Sequence, residues 1–184
     1  MVSGARAWWR RNRWALLALL VLVPAALAAS LSIDAFGYLA SRPSVVTVVE
    51  RGEVATLGEA RIRVLDSWSA PAESARGEQY AVPEGTALVS VTLELDAGAA
   101  SEDFTCQLRL LQTNPDRRWS HGFTDTDYFP GREMPDGVPS SCVWDQRPFP
   151  FEVTFLIPED AVDAVVLEVV TSDQLPRANH LQLR

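Results

Sequence analysis

The chain has 184 residues, with 24 acidic and 16 basic side chains and a formal net charge of −8. The charge is uneven, because residues 1–33 carry four arginines and no acid, whereas residues 34–184 carry every carboxylate side chain. An acidic body argues against nucleic acid or an anionic membrane surface as its partner. The length of this acidic body suits a single domain.

The first predicted element is the uncharged run from Trp14 to Ile33. As a helix rising 1.5 Å per residue, the run crosses roughly 30 Å of hydrocarbon. Four arginines precede it and Asp34 follows it, so residues 1–13 are predicted to be a cytoplasmic basic stub and the body to lie outside the cytoplasm. The prediction is a single-pass protein of the cell membrane that contacts the lipid bilayer through residues 14–33.

A second interpretation of the same run is a cleaved signal peptide. Residues Ala26 to Ala28 have the small-x-small pattern of a signal-peptidase site, and Pro24 precedes them. The length of the run and the flanking tryptophans favour a retained anchor, with secretion after cleavage near Ala28 as the alternative. Residues 34–44 contain Gly37 and Pro43 and are predicted to be a short membrane-proximal tether.

From residue 45 onward the pattern is that of β-strands. In the clearest one, Val89, Val91, Leu93 and Leu95 alternate with polar residues, which is typical of a half-buried strand in an antiparallel sheet. Only single helical turns are expected, at 70–76 and 158–164. Residues 45–184 are therefore predicted to form an all-β, antiparallel β-sandwich of six to eight strands. The predicted strands are 45–49, 61–65, 86–96, 104–110, 151–157 and 165–171, with a last short strand near 180–183.

The two cysteines, Cys106 and Cys142, are predicted to form one disulfide, because an even count in an exported domain indicates pairing. Cys142 lies in an aperiodic segment, 122–150, that is rich in proline, glycine and aromatic residues. A loop of that length in a compact domain is functional or held by a covalent link. The disulfide is expected to pin it to the 104–110 strand.

Hydrolytic chemistry has one candidate set, Ser120 and His121 with Asp125 and Asp127. The set lacks a Gly-x-Ser-x-Gly elbow, and adjacent side chains on a strand point to opposite faces. We therefore predict no catalytic residues and no enzymatic activity. A cell-envelope hydrolase that uses the 119–145 loop remains the alternative.

Metal binding has two candidate sets. Asp125 and Asp127, with Glu133 or Asp136, place oxygens near one another, but not at the EF-hand spacing. A pair formed by the only two histidines, His121 and His180, needs a third ligand that the sequence does not identify. No cofactor or metal is predicted, and a calcium-binding loop is part of the alternative function.

Aromatic residues are concentrated in the 122–150 segment. They either fill the core or form an exposed surface for a protein or glycan partner. The possible interaction surface comprises Tyr128, Phe129 and Trp144. The predicted function is a membrane-anchored binding or scaffolding module that contacts a protein of the cell envelope.

The layout of the chain also resembles a known group. A span flanked by arginine and tryptophan is followed by the stretch from Gly52 to Gly58, and then by Pro-Glu-Gly-Thr leading into Leu88–Leu95. This layout resembles uncharacterised membrane-anchored or secreted proteins of actinobacteria. The resemblance implies an outer domain with a telokin-like, immunoglobulin-like sandwich, and it carries over no catalytic residues.

Overall fold

The structure is a computed structural model that describes the backbone of residues 3–40, 42–120 and 141–184 and the side chains of 8–32, 42–120 and 141–184. The chain divides into two compact units, Met1–Arg42 and Pro43–Arg184.

The first unit contains one α-helix, α1, at Ser3–Ala40. Its apolar part, Trp8–Ser32, has a mean hydropathy of 2.4, and none of that stretch is buried. Pro24 lies inside the helix without ending it. The prediction of an N-terminal apolar helix is confirmed, and the helix has the length and composition of a membrane anchor or a signal sequence.

Helix α1 is longer than the predicted span at both ends. It has 38 residues, which at 1.5 Å per residue is a length of about 57 Å. The backbone of residues 34–40, predicted to belong to the tether, is helical, and Gly37 does not interrupt it. A single glycine costs a helix only about 1 kcal/mol, which the neighbouring residues can offset.

The second unit is built mainly of strands, nine of them among the described residues. In chain order the elements are β1 (Val45–Val49), β2 (Val54–Leu57), β3 (Ala60–Pro71), α2 (Ala75–Gln79), β4 (Thr86–Asp96), β5 (Gln107–Thr113), β6 (Asp116–Ser120), β7 (Phe149–Pro158), a 3₁₀ helix (Glu159–Ala164), β8 (Val165–Val170) and β9 (Arg177–Leu181).

The strands form two sheets. The five-stranded sheet has the order β1-β9-β8-β5-β6, and the four-stranded sheet has the order β2-β3-β4-β7. All neighbouring pairs are antiparallel except β1 and β9, which run parallel. The predicted β-sandwich is confirmed as two mostly antiparallel sheets, with one parallel pair that the sequence analysis does not predict. The two strands come from opposite ends of the domain, so no hairpin fixes their relative direction.

One hydrophobic core joins the two sheets, as the alternation in β4 predicts. Each sheet contributes the side chains of one face, and the largest of them are fully buried. Burying a side chain of this size contributes about 1.5–3 kcal/mol relative to exposure. The central core residues include Ile62, Leu93, Leu95, Leu108, Leu110, Phe151, Phe155, Ile157, Leu167 and Leu181.

The short helix α2 connects β3 to β4. Its N-cap is Ser74, whose hydroxyl accepts a hydrogen bond from the N–H of Gly77 at 2.9 Å. A Cβ atom at Gly77 would lie 1.9 Å from the carbonyl oxygen of Pro71, so no other residue fits there without moving the backbone. The indole of Trp68 packs beside this helix, with the Arg76 guanidinium 4.5 Å from its centroid.

Candidate functional site

A concavity of about 440 Å³ lies where three connections meet. These connections are the β2–β3 turn, the β4–β5 connection and the β8–β9 connection. A volume of this size is within the range of small-ligand sites, about 300–1,000 Å³. The lining residues are Leu57, Gly58, Glu59, Ala100, Ser101, Asp103, Phe104, Thr105, Ser172, Asp173 and Gln174.

The lining of this loop cavity is rich in oxygen atoms and negatively charged. Glu59, Asp103 and Asp173 supply three carboxylates, one from each connection, and no arginine or histidine is among the described residues that line the cavity. These carboxylates give the cavity a negative potential, which favours a cationic group over an anionic one. The remaining polar lining consists of hydroxyl and amide groups, and Leu57 and Phe104 add buried apolar surface.

Gly58 brings two of the three connections into contact. It is the first residue of the two-residue loop between β2 and β3 and has a φ of +66°, a conformation that glycine adopts without strain. A Cβ atom there would lie 3.2 Å from Nε2 of Gln174 and 3.4 Å from Oδ2 of Asp173. The missing side chain therefore allows the β8–β9 connection to approach the turn closely.

Asp173 is held in its charged form. Its carboxylate accepts a hydrogen bond from Nε2 of Gln174 at 3.2 Å. The nearby hydroxyl of Thr171 and then the amide of Gln174 lower the pKa of Asp173 below its usual value, because both groups favour the charged carboxylate. The cavity therefore keeps at least this negative charge in mildly acidic surroundings.

The wall of the cavity formed by the β4–β5 connection is braced by the cysteine pair. The Sγ atoms of Cys106 and Cys142 are 1.99 Å apart, which is disulfide distance. The N–H of Cys106 also donates to the carbonyl of Cys142 at 3.2 Å, and the N–H of Trp144 donates to that of Phe104 at 3.1 Å. The structure thus brings together the two cysteines that the sequence predicts to pair. Cys106 directly follows Thr105, which lines the cavity.

Of the predicted aromatic surface, only Trp144 lies within the described residues. Trp144 is half-buried and packs against the core. Its Nε1 atom is buried and has no hydrogen-bond partner in the described part of the chain. Tyr128 and Phe129 lie outside the described residues, so the surface formed by the three aromatics stays a prediction.

The predicted alternative chemistry falls largely outside the described residues as well. Ser120, the last residue of β6, is exposed, whereas the other members of the hydrolytic and calcium sets are not described. These members are His121, Asp125, Asp127, Glu133 and Asp136. Across the described part of the chain, no group of three or more histidine, cysteine or acidic side chains is arranged to hold a metal ion.

The structure also shows a buried polar pair that the sequence does not predict. Glu168 on β8 and His180 on β9 are register partners, and Nε2 of the imidazole lies 3.3 Å from Oε2 of the carboxylate. Their exposed fractions are 2% and 9%. The hydrogen bond from His180 is the main reason why the pKa of Glu168 is lowered, against the opposing effect of burial. A single carboxylate within the apolar strand Val165–Val170 is the one sequence signal for this pair.

Comparison with known proteins adds little to this description. No protein-family model matches the chain, and no curated protein matches it significantly. Among solved structures, it is similar to an uncharacterized β-sandwich protein from Clostridium difficile 630, with 9% sequence identity and a TM-score of 0.43. The match covers 78% of this chain and 99% of the other. A likeness this weak carries no argument about function, and the two-sheet description depends on the strand pairing itself.

Proposed function

We propose that the chain is a membrane-anchored, extracytoplasmic binding or scaffolding module without enzymatic activity. It acts through contacts with a protein of the cell envelope, and the loop cavity is the proposed recognition site. The observation that carries the proposal is the combination of a sizeable concavity with three carboxylates, one from each of three connections. Such a site suits a basic side chain of the partner, because its negative potential attracts an ammonium or guanidinium group and its carboxylates accept charge-assisted hydrogen bonds.

The bracing of the cavity supports recognition. A rigid binding site loses less conformational entropy on binding than a flexible one. The Cys106–Cys142 pair and the backbone hydrogen bonds beside it hold the wall that contains Asp103. The close approach at Gly58 holds the opposite side.

The location of the module is part of the same proposal. Arginines before the apolar stretch of α1 and acids after it favour an N-terminus in the cytoplasm and a body outside. Alkaline phosphatase fused after Arg184 should then be active, because it requires export. Recovery of a mature chain that begins at Ala29 would instead support secretion after cleavage.

The immunoglobulin-like and telokin-like description of the sandwich belongs to this proposal as well. In immunoglobulin variable domains, loops clustered at one end of two packed sheets form the binding site. Three connections meet at the loop cavity in a similar way. This is an analogy of architecture, and it supports the position of the site rather than the identity of its partner.

The test compares two charge-matched double variants of the full chain. Glu59→Gln with Asp103→Asn removes two cavity carboxylates, and Glu78→Gln with Glu84→Gln removes two exposed carboxylates that do not line the cavity. A photo-cross-linking amino acid at Ser101 would capture the partner in intact membranes.

The cavity variant should lose the captured protein, and the control should keep it. Capture from the parent chain should also weaken with added salt, since the contact is electrostatic. Equal capture by both variants would show that the cavity carboxylates do not contribute to recognition. Alkaline phosphatase activity would still report separately on the location.

A further inference from the structure

Strand β1 leaves one edge of the five-stranded sheet open. It pairs with β9 on one side and has no strand on the other among the described elements. Val45, Val46 and Val48 are 53%, 44% and 57% exposed, and Thr47 between them is exposed as well. This apolar strand therefore exposes side chains on both faces, and its outer edge is unpaired within the described part of the chain.

The other three sheet edges carry features that discourage pairing with another strand, whereas β1 carries none. Strand β6 begins with Asp116, Arg117 and Arg118, and charged side chains oppose edge-to-edge association. Strand β7 contains Pro150 and Pro158, which have no N–H to donate. Strand β2 has only four residues. In contrast, β1 has no charge, proline or register shift over its five residues.

The open edge of β1 has hydrogen-bonding groups in a defined pattern. The N–H of Val45 donates to the Pro176 carbonyl at 3.0 Å, and the carbonyl of Val49 accepts from the chain just after β9 at 2.9 Å. Since successive residues of a strand direct their N–H and C=O groups to opposite sides, those of Val46 and Val48 face the open edge. An added strand would find two residues with both groups available.

We propose that this edge pairs with β1 of a second copy of the chain, in antiparallel orientation about Thr47. The sequence Val-Val-Thr-Val-Val reads the same in both directions, so a two-fold axis at Thr47 brings identical residues together. Val46 of one copy then lies opposite Val48 of the other, and each such pair exchanges two hydrogen bonds. The two facing threonines form the non-hydrogen-bonded pair between them.

This register explains why the second copy is the occupant. It uses the open backbone groups of Val46 and Val48 in both chains. It also gathers four partly exposed valine side chains on one face of the joined sheet, and cross-strand pairs of β-branched residues stabilise a sheet. A strand of another protein could form the same backbone hydrogen bonds, but only a second copy places identical valines beside Val46 and Val48.

The first test uses a cysteine at the symmetry axis of the full chain in lipid nanodiscs. In a non-hydrogen-bonded antiparallel pair the Cα atoms are about 4.5 Å apart, which is within the range that a disulfide spans. Thr47→Cys should give a disulfide-linked dimer on mild oxidation, seen on a non-reducing gel and reversed by reductant. Val54→Cys, at a 51% exposed position on the edge strand β2, is the matched control and should form no disulfide-linked dimer on the same gel.

The second test disrupts the edge without adding a thiol. Val46→Lys places a charge in the proposed contact, and Val54→Lys places the same charge on β2. Mass measurement by light scattering should give a dimer for the parent chain and for Val54→Lys, and a monomer for Val46→Lys. Unchanged circular dichroism would show that Val46→Lys is still folded.

Several outcomes would overturn the proposal. They are a monomeric parent chain, a Val46→Lys variant that stays dimeric while folded, and equal cross-linking at Thr47 and Val54. A parent dimer whose cross-linking is strongest at Val45→Cys instead of Thr47→Cys would reject the register. If the folded chain were monomeric and its β1 paired with a strand of another protein, a second copy would not be the occupant.

Discussion

Replacing Cys106 and Cys142 together by alanine should destabilise the β-sandwich strongly. The two residues are 36 apart in the sequence. In the chain-entropy model, a link that closes a loop of this size removes about 4 kcal/mol of entropy from the unfolded state. Alanine is the appropriate replacement because both cysteines are buried, and a serine hydroxyl would need a new partner.

A loss of about 4 kcal/mol is a large part of the total stability of a domain, which is typically about 5–15 kcal/mol. The assay is urea unfolding of the segment 43–184 expressed alone, followed by tryptophan fluorescence. Trp144 lies two residues after Cys142 and reports on this region directly. With a slope of about 2 kcal/mol per molar urea, the midpoint should fall by about 2 M.

The control separates the covalent link from the packing of the sulfur atoms. The parent segment measured under strong reductant loses the link and keeps both side chains. It should move most of the way to the alanine variant, and the reductant should leave that variant unchanged. If the alanine variant unfolds within about 1 kcal/mol of the oxidised parent, then the hydrogen bonds around Trp144 hold the segment and the bracing argument fails.

Three further changes test the packing and the buried pair by the same unfolding assay. Phe151→Ala should cost about 3–5 kcal/mol, because the ring is fully buried between the sheets, and a loss below 1 kcal/mol would contradict that position. Gly77→Ala should also destabilise the domain, since its Cβ would meet the carbonyl oxygen of Pro71; unchanged stability would show that α2 shifts freely. The folded-state pKa of Glu168 lies below its unfolded value, so its interaction with His180 stabilises the domain above about pH 4.3 and is lost as the pH falls further. Glu168→Gln should therefore flatten the loss of stability as the pH falls below about 4.3, and an unchanged slope would assign acid sensitivity to other carboxylates.

The sequence predicts those strands whose side chains alternate over a long stretch. β4 has the predicted bounds of residues 86–96 because one of its faces is buried along its whole length. β2 and β6 are not predicted, because β2 has only four residues and β6 is a polar edge strand. The parallel partner of β1 was not predicted either, since pairing between the ends of a domain leaves no local pattern.

The candidate site is less predictable, because its residues come together only through contacts between segments that are distant in the sequence. The cysteine pair follows from composition and location, but the cavity beside it gathers residues from three distant connections. Glu59, Asp103 and Asp173 are individually ordinary surface carboxylates in the sequence. The partner of Glu168 depends on the register of β8 with β9, which no single strand reveals.

The parallel pairing of β1 with β9 has a consequence for how the protein is made. The first strand of the sandwich finds its partner only in the last strand of the chain. A growing chain therefore cannot complete the five-stranded sheet until its C-terminal residues have been synthesised. Contacts between such distant segments also slow folding, because a long loop must close before they form. Until then β1 stays without its partner strand, and an uncharged valine strand in that state is exposed to aggregation.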